Sequence, residues 1–251
     1  MASESPTTQF EIHPLVSLGH IGHSEIALTN SGLYMIGFVV LISAFMLLST
    51  KRRALIPGRW QGMAEMFYEF TAVTIKQAAG EEGMRFFPFV FSVFMFVTVA
   101  NVIGEIPYSF SVTSHIIVTF ALSILVIAVV LVHGFWTHGI RFLRLFVPHG
   151  IPKVLLPLVV SIEIVSFVSR PISLSVRLFA NMLAGHITLA VFAGFVAAFT
   201  GFGVLGWFAA VLPLAMVVAL AALEMLIAFL QAYVFAILTC IYLNDALYPS
   251  H

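Results

Sequence analysis

Two long apolar runs near the carboxyl end constrain this chain more than any other feature. Val154 to Thr200 has no strong break except Pro157 and Pro171, and Val204 to Tyr248 repeats the pattern after Gly201-Phe202-Gly203. At about 1.5 Å of rise per residue, each run as a helix would extend roughly 65–70 Å, about twice the hydrocarbon core of a bilayer. Two upright spans in each run would need a polar turn near its middle, and neither middle holds one. Each run is therefore expected to be one long, strongly tilted helix, the pair forming a hairpin with its tip near Gly203. Composition agrees with a lipid solvent: 61% of the 251 residues are hydrophobic and 9% are charged, where a soluble domain carries about 25% charged residues.

The first half reads as simpler spans. Gly32 to Thr50 is free of charge and about long enough to cross the core. Lys51, Arg52, Arg53 and Arg59 follow it, with Pro57-Gly58 breaking the helix. In Trp60 to Ala79, Met63, Phe67, Phe70 and Thr74 fall near one face, while Glu65, Glu69 and Lys76 interrupt. That pattern suggests an amphipathic helix, either lying at the membrane interface or packed on other subunits. Phe86 to Ile106 is a second span, with Asn101 and Glu105 toward its far end, and His115 to Val132 is a third. Arg141, Arg144 and Lys153 then occupy a proline-punctuated loop.

The fold class expected is an all-α polytopic membrane protein, one integral membrane domain over residues 1–251. Residues 1–31 would be an external amino-terminal segment, 32–153 upright spans with an interfacial helix and loops, and 154–251 the tilted hairpin. If the spans alternate, Lys51 to Arg59, Lys76, Arg85 and Arg141 to Lys153 share one side. The excess of lysine and arginine places that side in the cytoplasm and the amino terminus outside. The opening MASESPTTQFEIHPL lacks the basic stretch and apolar core of a secretory signal, so the first apolar segment reads as a retained span. A formal net charge of zero argues against a nucleic-acid partner held through its phosphates. The single cysteine, Cys240, permits no intramolecular disulfide.

Small residues recur at helical spacing: Ala190, Gly194, Ala198 and Gly201 on one face, and Ala228, Ala232 and Ala236 on another. Such faces let helix backbones approach closely in lipid. The approach could be within this chain or against another protein's helices.

Polar groups in the hairpin are few: Glu163, Arg170, Ser173, Arg177, Asn181, His186, Glu224, Gln231 and Tyr233. At about 100° per residue, Glu163, Arg170 and Arg177 stay within roughly 40° of one another, while His186 points about 180° from Arg177. Counted from the hairpin tip, His186 and Glu224 reach similar depth and form an outer pair. Arg177 and Gln231 form a middle pair by the same count. Glu163 is left as an inner carboxylate without a partner. An arginine at mid-membrane costs roughly 2.5–3.5 kcal/mol even on insertion scales, and Glu163 lies about four helical turns away. The partner of Arg177 is therefore expected on another chain. Arg170 is placed near the interface, where it could snorkel, and Glu105 and His115 read as solvated groups near a membrane surface. His186 and Glu224 are both titratable near neutral pH once burial shifts them. Titratable groups on an outer path, another on an inner path and a fixed positive charge between them suit proton movement in two halves.

The run Arg177-Leu178-Phe179-Ala180-Asn181, with Arg170-Pro171 upstream, resembles subunit a of the F-type ATP synthase. Glu224 and LQAYVFAILTCIYL (230–243) extend the likeness, which covers the chain from FEIHPL to its end. The resemblance implies a stator facing a rotating ring of c subunits, with b-type peripheral-stalk subunits, membrane lipid and protons as further partners. Arg177 would oppose the ring carboxylate. Asn181, His186, Glu224 and Gln231 would line or support an outer half-channel, and Glu163 with Ser173 an inner one. Ala180 stands where many members have glycine, and the order of histidine and acid resembles the mitochondrial form. A bacterial inner membrane is the expected location. The subunit would not be an enzyme on its own, and no cofactor or metal ion is expected. A secondary transporter or channel with midplane charges is the rival reading, but such folds usually show an internal repeat, and none is apparent. A plain membrane anchor would not need polar groups at staged depths.

Overall fold

The computed structural model describes residues 14–21, 24–51, 57–106, 109–147 and 155–248. Two antiparallel strands, β1 (Pro14–Ile21) and β2 (Ser24–Thr29), come first; the sequence reading did not anticipate them. Among the described residues six helices follow: α1 (Asn30–Thr50), α2 (Arg59–Ala79), α3 (Phe87–Gly104), α4 (Ile116–His138), α5 (Leu156–Thr200) and α6 (Gly203–Leu247), with 3-10 turns at Glu82–Phe86, Val112–Ser114 and Gly139–Phe146. Among the described residues, five segments are long and apolar enough to cross a membrane: α1, Glu82–Gly104, α4, α5 and Gly206–Leu247 of α6. The protein is an all-α polytopic membrane protein, as its composition requires.

The two long runs are single helices. α5 and α6 have 45 residues each and continue through Pro171 and Pro213, so each measures about 68 Å. A proline removes one helical hydrogen bond; in a helix of this length the remaining bonds hold the axis. Gly201 N–H donates to the Ala198 carbonyl and Phe202 N–H to that of Phe199, closing α5. Gly203 then adopts φ 73°, a left-handed conformation that costs a glycine little. Gly206 lies so close to the Phe199 carbonyl oxygen that no side chain fits between them. Glycine thus makes the tip at the position expected.

The chain forms two compact units. The first gathers Met1–Ser43, Phe96–His115 and Leu178–Ala232. In it Tyr34 packs on Phe110 with ring centroids 5.7 Å apart, Phe38 on Phe96 at 6.3 Å, and Phe110 stacks on His115 at 5.0 Å. Asn101 Nδ2 donates 3.1 Å to the backbone carbonyl of Ala228. That approach needs a small residue, and Ala228 and Ala232 are both wholly buried. Gly194, by contrast, has nothing of this chain within 4 Å of where a Cβ would stand.

The second unit gathers Ala44–Met95, Ile116–Arg177 and Tyr233–His251. Here α2 buries Ala64, Thr71, Thr74, Ile75 and Ala79. Phe70 packs against Phe94 and Tyr233, with centroids 5.4 Å apart in each case, and Phe67 against Phe94 at 6.3 Å. The apolar face of α2 therefore packs on α3 and α6 of its own chain. Met63, placed on that face by periodicity, is instead 46% exposed, because the packed stripe runs through Ala64 and Thr71. Gly134 admits the Phe142 ring against α4, where any Cβ would overlap it.

Arg52, Arg53, Lys153, most of the FEIHPL stretch and the last three residues lie outside the described residues, as do the side chains of Arg141 and Arg144.

Candidate functional site

Within the first unit, three chain segments bring titratable side chains together. His186 of α5, Glu224 of α6 and Glu105, the residue after α3, each present a nitrogen or oxygen within 4.8 Å of the other two. His186 and Glu224 come together as depth counting from the hairpin tip predicts. Glu105, which the sequence reading placed as a solvated group near a membrane surface, joins this pair. The turn that ends α3 is the physical reason: Glu105 N–H donates to Asn101 and Ile106 N–H to Ile103, each at 3.1 Å. This last turn keeps Glu105 on the face of Asn101, four residues earlier, which is itself fully buried and bonded to α6. The spacing from Asn101 to Glu105 was the available signal.

Glu224 is 7% exposed, with a side-chain oxygen of Glu105 within 4.8 Å of its own. Its Oε2 has no hydrogen-bond partner among the described residues. The carboxyl lies against the bare Cα of Gly185: a Cβ there would stand 2.8 Å from Oε1 and 2.9 Å from Cδ. Gly185 is thus part of the site, a role the sequence reading missed.

Farther from the tip, Asn181 Nδ2 donates 3.1 Å to Gln231 Oε1. The sequence reading set Gln231 opposite Arg177; its hydrogen bond is to Asn181, one turn later on α5. An amide donor meeting an amide oxygen satisfies both dipoles without a charge. Gln231 is buried, and its Nε2 has no partner among the described residues.

The second unit holds a separate charged group. Arg170 Nη1 lies 2.6 Å from Asp245 Oδ2 and its Nη2 3.9 Å from Glu163 Oε1. Its guanidinium carbon stands 5.4 Å from the Phe167 ring centroid and 5.0 Å from that of Tyr242. Arg170, expected near the interface, is bound within the chain. With its side chain 19% exposed, it is held by a short charge-assisted bond and two aromatic faces. Glu163 also gains the partner that it was expected to lack, because a seven-residue spacing returns nearly to one helix face. Asp245 went unread, since an acid near the end of an apolar run looks solvated. Arg177 and Ser173 are exposed, and among the described residues no ion pair includes Arg177.

Comparison with known proteins gives a consistent result. The family model for the ATP synthase A chain matches residues 32–244. ATP synthase subunit a of a Chelativorans species is 63% identical over 246 residues, covering 98% of each chain. Those of Nitrobacter winogradskyi and Mesorhizobium japonicum are 62% and 61% identical, with at least 97% of each chain covered. A hairpin of two 45-residue helices carrying staged polar groups, together with these full-length likenesses, shows that the chain belongs to the ATP synthase subunit a family, a membrane subunit of the complex rather than an enzyme by itself.

Proposed function

We propose that this subunit provides two offset half-channels for protons, to and from the carboxylates of a c-ring, and that Arg177 separates them. The observation carrying this reading is the convergence of Glu105, at the end of α3, with His186 and Glu224 of the apolar hairpin, with exposed Arg177 on the same helix as His186. A proton entering from outside is taken up by the His186–Glu224 group. The amides of Asn181 and Gln231 support its passage to a ring carboxyl. A protonated ring carboxyl can face lipid, whereas an ionised one there costs far more than binding can return. Arg177 stabilises the ionised form in the aqueous slot and blocks a direct path between the halves. Release on the other side runs by Ser173 and Glu163. Along α5 the order is Glu163, Arg177, His186, so the barrier stands between the two sets of relays.

In the same reading, the whole chain acts as one membrane domain of a bacterial inner membrane, with α5 and α6 strongly tilted around the ring. Peripheral-stalk b-type subunits hold it still. The basic loops face the cytoplasm.

Vesicles carrying the reconstituted complex test the division of roles. Arg177→Ala should abolish ATP synthesis driven by a proton gradient while permitting passive leak, because the halves are no longer kept apart. Arg177→Lys should also fail substantially, since an ammonium lacks the forked donors of a guanidinium. Glu224→Ala should slow proton passage and synthesis together without new leak, and His186→Ala should do so less, because water can replace the imidazole. Coupled synthesis at the normal rate in Arg177→Ala would sink the proposal.

A further inference from the structure

We propose that His138 is a positioning residue for proton release: bonded to the carbonyl of Leu247, it holds the last turn of α6 where Asp245 keeps Arg170 from closing on Glu163. The contacts stand on geometry; their effect on release rests on the proton-path reading above, in which Glu163 serves the inner half-channel.

His138 is the last residue of α4, and Gly139 turns the chain away from it at φ 54°. Its Nε2 lies 3.2 Å from the carbonyl oxygen of Leu247, the last residue of α6. A carbonyl only accepts, so Nε2 carries the proton. The last carbonyls of a helix lack partners within it, and lipid offers no water to serve them. Tyr248 N–H donates to the Asn244 carbonyl at 2.9 Å, and His138 serves that of Leu247 from another helix. Leu243 and Ala246 are buried in the same stretch, so the end of α6 is packed sideways as well as capped.

That end carries half of what surrounds Arg170. From α6 come Asp245, 2.6 Å from Nη1, and the Tyr242 ring, 5.0 Å from the guanidinium carbon. From α5 itself come Glu163, 3.9 Å from Nη2, and the Phe167 ring at 5.4 Å. One guanidinium is thus shared unequally between two carboxylates, and the short bond to Asp245 leaves Glu163 loosely paired. A relay needs this. A carboxylate held by both arms of an arginine fork has the lone pairs that accept a proton already filled. If the end of α6 loosens, Tyr242 and Asp245 move together, while Glu163 and Phe167 stay on the helix of Arg170. The guanidinium then closes on Glu163, and release slows.

The test uses the intact complex in vesicles, with proton-driven ATP synthesis normalised to the amount assembled. Glutamine places its amide nitrogen near the position of Nε2, whereas the amide of asparagine stops at that of Nδ1. His138→Asn should therefore lower synthesis about two- to tenfold, the worth of one hydrogen bond, and His138→Gln should restore it. A wild-type rate in His138→Asn, or an equal loss in both variants, would overturn the proposal. In Asp245→Ala, where Arg170 is already released, adding His138→Asn should cost nothing more. A histidine that merely stabilised the fold would add its own loss there, and that outcome too would overturn the proposal. Ring-nitrogen NMR of the histidine-labelled complex, with the His138 signal assigned by its loss in His138→Gln, should show Nε2 protonated. A proton on Nδ1 alone would refute the bond, and this measurement decides even if His138→Asn does not assemble. Glu163→Gln tells the two readings apart. Wild-type synthesis in Glu163→Gln would refute release by Glu163 and with it the purpose assigned to His138. Slow synthesis in Glu163→Gln beside a normal rate in His138→Asn would refute the positioning alone.

Discussion

Replacing Gly185 with alanine adds one methyl group directly against the carboxyl of Glu224. The new Cβ would lie 2.8 Å from Oε1, 2.9 Å from Cδ and 3.2 Å from Cγ, where ordinary contact begins at 3.4 Å. Because three consecutive atoms are too close, the whole carboxyl must move by about 0.6 Å rather than swing its tip aside. Overpacking of this kind costs about 1–3 kcal/mol. Gly→Ala in a helix returns about 0.8–1.0 kcal/mol, so assembly should be little affected. Function should suffer more. The side-chain atoms of Glu105 and His186 lie within 4.8 Å of that carboxyl and of each other, and a shift of this size changes how the three groups meet. If the relay barrier rises by about 1.4 kcal/mol, proton-driven ATP synthesis falls tenfold. Gly37→Ala, where nothing stands within 4 Å, is the control. Synthesis rates in reconstituted vesicles, normalised to the amount of assembled complex, provide the measurement. A Gly185→Ala complex that assembles and synthesises at the wild-type rate would show that the placement of Glu224 does not govern the path.

Asp245→Ala should destabilise the second unit by about 1–2 kcal/mol, between the values for exposed and buried pairs, because among the described residues Arg170 retains as a charged partner only Glu163 at 3.9 Å. An unchanged midpoint for heat-induced loss of the subunit from the complex would contradict this. For topology, a cysteine placed at Ser5 should react with an impermeant reagent from outside and one at Ser250 from the cytoplasm; the reverse pattern would overturn the assignment drawn from the basic loops.

The sequence by itself determined the features that rest on length, periodicity and cost in lipid. A run of nearly fifty apolar residues without a polar turn must be one long helix, and α5 and α6 are such helices. The run Gly201-Phe202-Gly203 marked the tip, and counting from the tip paired His186 with Glu224 across it. These depend on distances along the chain, which sequence carries directly. The tertiary structure alone decided the third member of the cluster, Glu105, and the closeness of Gly185. It also decided the exchange of Arg177 for Asn181 as the partner of Gln231, and the grip of Arg170 on Asp245. Each depends on how helices from distant parts of the chain rotate against one another. In lipid that rotation is set by packing of small residues such as Ala228 and by side-chain hydrogen bonds such as that from Asn101, since the solvent is as apolar as the helices themselves. Hydrophobic periodicity, the strongest signal a sequence offers, cannot report a rotation that hydrophobicity does not drive.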